Sequence, residues 1–165
     1  MPQTVLSAVR KQARIVWGVS LFLLFVWISL ILLAPFAEKH GLTSLSAPIY
    51  KFFSYICHQM AERSFSIGNA PFAVCARCFG VYFGLLLGVL IYPFFNRIEE
   101  TEPPRRIWLF LSLIPMGIDW ALGVFGIWEN THWSRLATGV VLGVVCALFI
   151  VPALIELFRL LLHKK

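Results

Sequence analysis

Three of the four cysteines of this 165-residue chain sit in one stretch, Tyr55 to Gly88, at Cys57, Cys75 and Cys78, and His58, Arg63 and Arg77 share it. Cys75-Ala-Arg-Cys78 is a C-x-x-C at the predicted first turn of a helix, where the positive end of the helix dipole and the Arg77 guanidinium both favour a thiolate. Thiolates with a neighbouring imidazole suit a soft cation. The C-x-x-C supplies two ligands and Cys57 or His58 a third, a spacing that resembles a structural zinc site. Consecutive helical side chains point about 100° apart, so Cys57 and His58 can grip one ion together only from irregular backbone. A fourth ligand can come from His40, Glu62, His132 or water, and an open fourth position would serve catalysis. The same thiols permit exchange through a mixed disulfide, with a quinone as the membrane-borne oxidant by analogy with small four-helix oxidoreductases. They also permit an inert disulfide from Cys57 to Cys75 or Cys78. Cys146, in the middle of the last apolar run, is read as packing.

Asp119 lies inside an apolar run, in Pro115-Met-Gly-Ile-Asp119-Trp120. A carboxylate within a membrane span costs about 2.5–3.5 kcal/mol on the insertion scale and calls for a partner. Arg77 and Arg135 open two other apolar runs from the same side, so either can reach it. The expected site therefore joins metal ligands Cys57, His58, Cys75 and Cys78 to a catalytic cluster of Asp119, Arg77, Arg135 and Arg63 that holds an anionic or polar group. The structural alternative is an Asp–Arg clamp between helices. Glu129, Asn130, His132 and Ser134 form a polar loop that can wall the pocket, with Ser134 reading as a helix N-cap. Glu62-Arg63-Ser64 can complete that wall. The chain has no nucleophile motif, phosphate-cradling loop or dinucleotide fingerprint.

The elements that must position these residues are set by lipid. The chain is 59% hydrophobic and 13% charged, with a mean hydropathy of +0.82, against roughly 25% charged residues in soluble domains. About 20 apolar residues cross the hydrocarbon core. The pattern predicts an all-α membrane domain over 1–165, a four-transmembrane-helix bundle with spans at about 15–36, 72–95, 107–127 and 135–162. The outer loop, 37–71, carries a short interfacial helix at about 48–58, with Pro48 in its first turn and Ile49, Phe52, Phe53 and Ile56 as its apolar stripe. Ile67-Gly68-Asn69-Ala70-Pro71 reads as a turn, and Pro152 predicts a kink in the last span. No A-x-A-like site closes the first run, which is read as a retained helix rather than a signal peptide.

Gly80, Gly84 and Gly88 recur four apart, and Gly139 and Gly143 repeat the spacing, so these faces are expected to pack the second and fourth spans together. Arg77 precedes the first series and Arg135 the second, a faint repeat that implies two parallel hairpin halves. The net charge of +6 resides in clusters at the ends of apolar runs, which points to anionic lipid headgroups and away from nucleic acid. Arg10, Lys11 and Arg14 precede the first span, Arg97, Arg105 and Arg106 flank Glu99, Glu100 and Glu102 in the middle connector, and Arg159, Lys164 and Lys165 end the chain. Four spans with that bias place both termini in the cytoplasm of a cytoplasmic (inner) membrane and the cysteines outside.

Cys57-His58-Gln59, Arg63-Ser64-Phe65, Cys75-Ala-Arg-Cys78, Gly80-Val-Tyr-Phe-Gly84, Pro115-Met-Gly-Ile-Asp119 and Arg135-Leu-Ala-Thr138-Gly139 together resemble an uncharacterised family of small prokaryotic predicted membrane proteins, a domain of unknown function. The likeness runs from about Tyr50 to Gly143. The family pattern has Thr after the second cysteine of the C-x-x-C and Gly after the Asp, where this chain has Phe79 and Trp120. The resemblance implies a membrane protein with a shared polar site and no defined activity. Three readings follow: a metal site, with zinc as cofactor; a thiol–disulfide oxidoreductase, with a quinone; and a non-enzymatic assembly protein. Membrane lipid is the expected environment, a second copy or another membrane protein the expected partner, and the ligand is undefined.

Overall fold

In hydrocarbon a backbone must satisfy its own hydrogen bonds, and helix is how a single segment does so. The computed structural model describes residues 3–98 and 101–163. Glu99, Glu100, Lys164 and Lys165, which entered the charge reading, lie outside the described residues. The order is α1 (Gln3–Lys39), α2 (Thr43–Ser54), a 3-10 turn (Ala61–Arg63), the antiparallel pair β1 (Ser66–Ile67) and β2 (Ala70–Pro71), α3 (Ala76–Phe95), α4 (Ile107–Val124) and α5 (His132–His163). Helices α1, α3, α4 and α5 are long and apolar enough to cross a membrane. The protein is thus a four-span helical membrane protein with one short helix and one two-stranded hairpin between the first two spans.

The ends of the elements differ from the sequence reading for local reasons. α1 is continuous from Gln3 through the basic lead and past Pro35 to Lys39. α2 starts at Thr43, before Pro48, because the Leu42 carbonyl accepts from the Leu45 and Ser46 amides and the Ser46 hydroxyl is bound by the Glu38 carboxylate. Phe72 belongs to the hairpin, its amide bonding the Phe65 carbonyl at 2.7 Å, so α3 begins later than the apolar run. α4 stops at Val124 because Gly126 takes φ +65°, and the Ile127 and Trp128 amides turn back to the Leu122 carbonyl. α5 begins at His132: Thr131 Oγ1, not Ser134, caps it by accepting from the Ser134 amide at 3.1 Å.

α3 and α5 run parallel and dominate the packing. A Cβ added to Gly80 would overlap the Leu136 carbonyl, one on Gly84 the Val140 carbonyl, and one on Gly143 the Val81 carbonyl. The backbones therefore touch, which yields dispersion contact where lipid offers no hydrophobic drive. α1 crosses this pair, and α4 leans on α5. Pro93 lacks the amide that would bond the Val89 carbonyl one turn earlier in α3. The Trp17 indole of α1 fills that position, donating to the Val89 oxygen at 2.7 Å. One core layer, containing Ala13, Val89, Ala147, Val151 and Ile155, lies at this level. The other, containing Ile28, Ile31, Phe53 and Val74, surrounds Cys57. Trp27 meets Phe52, Phe53 and Tyr82 edge-on there, pinning α2 to the bundle. Outward-facing Phe22, Phe25, Phe110 and Phe94, the last 84% exposed, form the lipid-facing surface.

Candidate functional site

The thiols are brought together by a short irregular segment rather than by a helix. After α2 the Ile56 and Cys57 amides still bond the Phe53 carbonyl, at 3.1 and 2.9 Å, and the chain then leaves helix at Cys57. Gln59 sits at φ +49°, a left-handed conformation that costs a non-glycine residue about 1–2 kcal/mol. Its amide Nε2 offsets that by donating to the Tyr50 and Ala73 carbonyls, both at 2.8 Å. Tyr50 Oη donates to the Pro71 carbonyl. Gln59 and Tyr50 thus bind the strand leading to Cys75 against the helix leading to Cys57. Gln59 carries no chemistry, so sequence reasoning passed over it. The signal was its place directly after Cys57-His58 in the motif.

Cys57 Sγ lies 3.7 Å from Cys78 Sγ and accepts the Cys75 backbone amide at 3.2 Å. Cys57 is buried, and Cys75 and Cys78 are half-buried. Burial pushes the Cys57 thiol up. Backbone amides of Cys75 and Gln59, with the Cys75 and Cys78 thiols, outweigh burial, and its pKa falls below the usual thiol value. Cys75 moves the other way, raised by burial and by its contact with Cys57. The surrounding donors therefore converge on one sulfur of the three, that of Cys57. A zinc–thiolate tetrahedron with bonds of about 2.3 Å has sulfur–sulfur edges of about 3.8 Å, close to the Cys57–Cys78 separation. Among the described residues no three Cys, His, Asp or Glu side chains already surround one ion position. The four cysteines are free thiols.

Beside the sulfurs, Arg77 of α3 pairs with Asp119 of α4 through Nη2 and Oδ2. Asn130, in the loop before α5, donates Nδ2 to the Asp119 backbone carbonyl and, at 3.1 Å, to Oδ2. Those bonds fix the amide's orientation and press Asn130 Oδ1 against Gly123, where a Cβ would collide with it. Asn130 Oδ1 and Arg77 Nε are buried without a hydrogen-bond partner. Asn130, which the sequence offered only as one residue of a polar wall, is the residue that holds Asp119, and Gly123, which residue type did not flag, leaves it room. Of the two arginines the sequence offered Asp119, the fold selects Arg77. Arg135, on the first turns of α5, is within electrostatic range of Arg63, Arg77, Asp119 and Cys75.

A cavity of about 1040 Å³ joins these groups, with Cys57, Cys75, Cys78, Arg63, Arg77 and Arg135 on its wall and Trp120 and Trp128 at its rim. His58 and Glu62 also line it, both exposed. His40 and His132 do not line it: His40 lies against the Phe36 ring at 4.6 Å and His132 against Phe65 at 5.5 Å. Cys146 lies half-buried in α5.

Residues 57–149, the span that carries the thiols, both α3 and α4 and the first half of α5, match the family described as predicted membrane protein (DUF2085). An uncharacterized protein of Methanocaldococcus jannaschii is 39% identical over 140 residues, covering 82% of this chain and 87% of its own length. An uncharacterized protein of Methanothermobacter thermautotrophicus is 35% identical over 92 residues, 56% of this chain and 81% of that protein. No solved structure matches.

Proposed function

The chain belongs to the DUF2085 family of predicted membrane proteins, and we propose that this member carries an outward-facing thiolate metal site, best suited to zinc, that opens onto an arginine-lined cavity. Cys57, Cys75 and Cys78 would be the protein ligands, with His58, Glu62 or a ligand group at the fourth position. The observation that supports this most directly is Cys57: a buried sulfur with the Cys75 backbone amide donating to it and a second sulfur at 3.7 Å. Such amide donation stabilises thiolate, the form that binds a cation. The positive-inside bias supports an orientation with this end outside and both termini in the cytoplasm of the inner membrane. The ion would hold the loop against α3 and act as a Lewis acid toward a group in the cavity. The Arg77–Asp119 pair would position that group.

The test is metal analysis of protein purified in detergent under reducing conditions without chelator. About one zinc per chain is expected, lost in Cys57→Ser and Cys78→Ser but retained in Cys146→Ser. Metal-free protein with Cys57 disulfide-linked would overturn the proposal. That outcome would support a second reading, favoured by the same short sulfur–sulfur distance. In it, the Cys57 and Cys78 thiols give up two electrons and two protons to a quinone, forming one disulfide and one quinol.

A further inference from the structure

The arginine cavity has a neighbour. Along α4, Ile114, Pro115, Ile118 and Leu122 line a shallow, open apolar slot of about 490 Å³ that also takes in Asp119 and Trp128. Trp128 also borders the arginine cavity, and Asp119 is bound by Arg77 and Asn130 from that cavity's wall. A polar chamber and an apolar slot therefore meet at one point, on the side where α4 packs along α5 and is tied to α3 by the Arg77–Asp119 pair.

The polar chamber is built for an oxyanion. Arg63 and Arg135 have no carboxylate partner among the described residues, and Arg77 keeps a buried Nε unbonded after meeting Asp119. Glu62 and Glu129 reach the rim, but both are exposed and neither pairs with an arginine. Three guanidiniums around one space ask for three acceptor oxygens. A carboxylate offers two, a phosphate monoester three. The slot adds a hydrocarbon requirement, since its walls give a chain dispersion contact and give a free ion nothing.

We propose that the two cavities form one binding site for a phosphomonoester lipid, its phosphate on Arg63, Arg77 and Arg135 and its chain along α4. The site stands on the arginines and the slot, and it holds whether or not the sulfurs carry an ion.

The experiment measures binding of three probes to the full-length protein in detergent by native mass spectrometry: dioleoyl phosphatidic acid, dioleoyl phosphatidylcholine and inorganic phosphate. Phosphatidic acid should bind at least about tenfold more tightly than either other probe, a difference of about 1.4 kcal/mol. Arg63→Gln, at an exposed side chain, and Arg135→Gln should each weaken it by about tenfold. Arg105→Gln, in the connector between α3 and α4, should not. Ile118→Trp, which fills the slot, should weaken phosphatidic acid and leave inorganic phosphate unchanged. The preference for phosphatidic acid over phosphatidylcholine should persist in the presence of chelator, which separates this site from the metal reading. Equal binding of the two lipids, or equal losses in Arg63→Gln and Arg105→Gln, would overturn the proposal. Inorganic phosphate as tight as phosphatidic acid, with Ile118→Trp silent, would overturn it as well.

Discussion

The two sides of α3 hold their neighbours by opposite means. Toward α5, Gly80, Gly84 and Gly88 let backbone meet backbone with no side chain between. Toward α4, the Arg77–Asp119 guanidinium–carboxylate pair spans the approach, and a cavity of about 1040 Å³ opens next to it. Many weak contacts with no spare volume make a rigid frame. One strong directional contact beside open volume makes a place where a ligand can compete. In lipid, where apolar faces gain little by meeting each other, that contrast separates scaffold from site.

The contrast can be broken first on the scaffold side. Gly84→Leu places a side chain where the Val140 carbonyl stands. It should cost about 3 kcal/mol or more and abolish a cooperative thermal transition in detergent. On the site side, Asp119→Ala leaves the half-buried Arg77 guanidinium without its partner and should cost about 2–4 kcal/mol. Adding Arg77→Ala should recover part of that loss, and a double-mutant cycle with no coupling would show that the pair does not bind α4 to α3. Gly123→Ala should cost about 1–2 kcal/mol by displacing Asn130 from Asp119. The same change in an Asn130→Ala background should cost almost nothing. Trp17→Phe leaves the Val89 carbonyl unbonded, and the expected loss is about 1 kcal/mol in the same melts.

The scaffold was the more legible half in the sequence, and the reason is physical. A span must be long and apolar whatever its partners, so Ile15–Phe36 or Ile107–Ile127 declares itself without reference to the rest of the chain. Glycines four apart declare a contact face in the same way. Site geometry depends on which distant residue arrives. The cost of Asp119 in a span pointed to an arginine but left two, and only the position of α3 against α4 selects Arg77. Asn130 read only as one of several polar residues that could wall the pocket, because its partner, Gly123, is conspicuous only by lacking a side chain. Gln59 and Trp17 satisfy backbone carbonyls, and no residue type announces a carbonyl in need. The starts of α2 and α5 were misplaced by a few residues because the Leu42 carbonyl and the Thr131 hydroxyl hold them from outside the apolar pattern.

The parallel register of α3 and α5 carries one more consequence. Antiparallel neighbours cancel each other's dipoles, but these two add. Each helix start contributes about half a positive elementary charge, and both starts, at Ala76 and His132, emerge at the same leaflet. The pair therefore sets two positive helix ends beside the thiols, while the C-terminal ends of α1 and α4, at Lys39 and Val124, offset them at longer range. The attraction for an anion is local to the α3 and α5 starts, and it fades as salt rises.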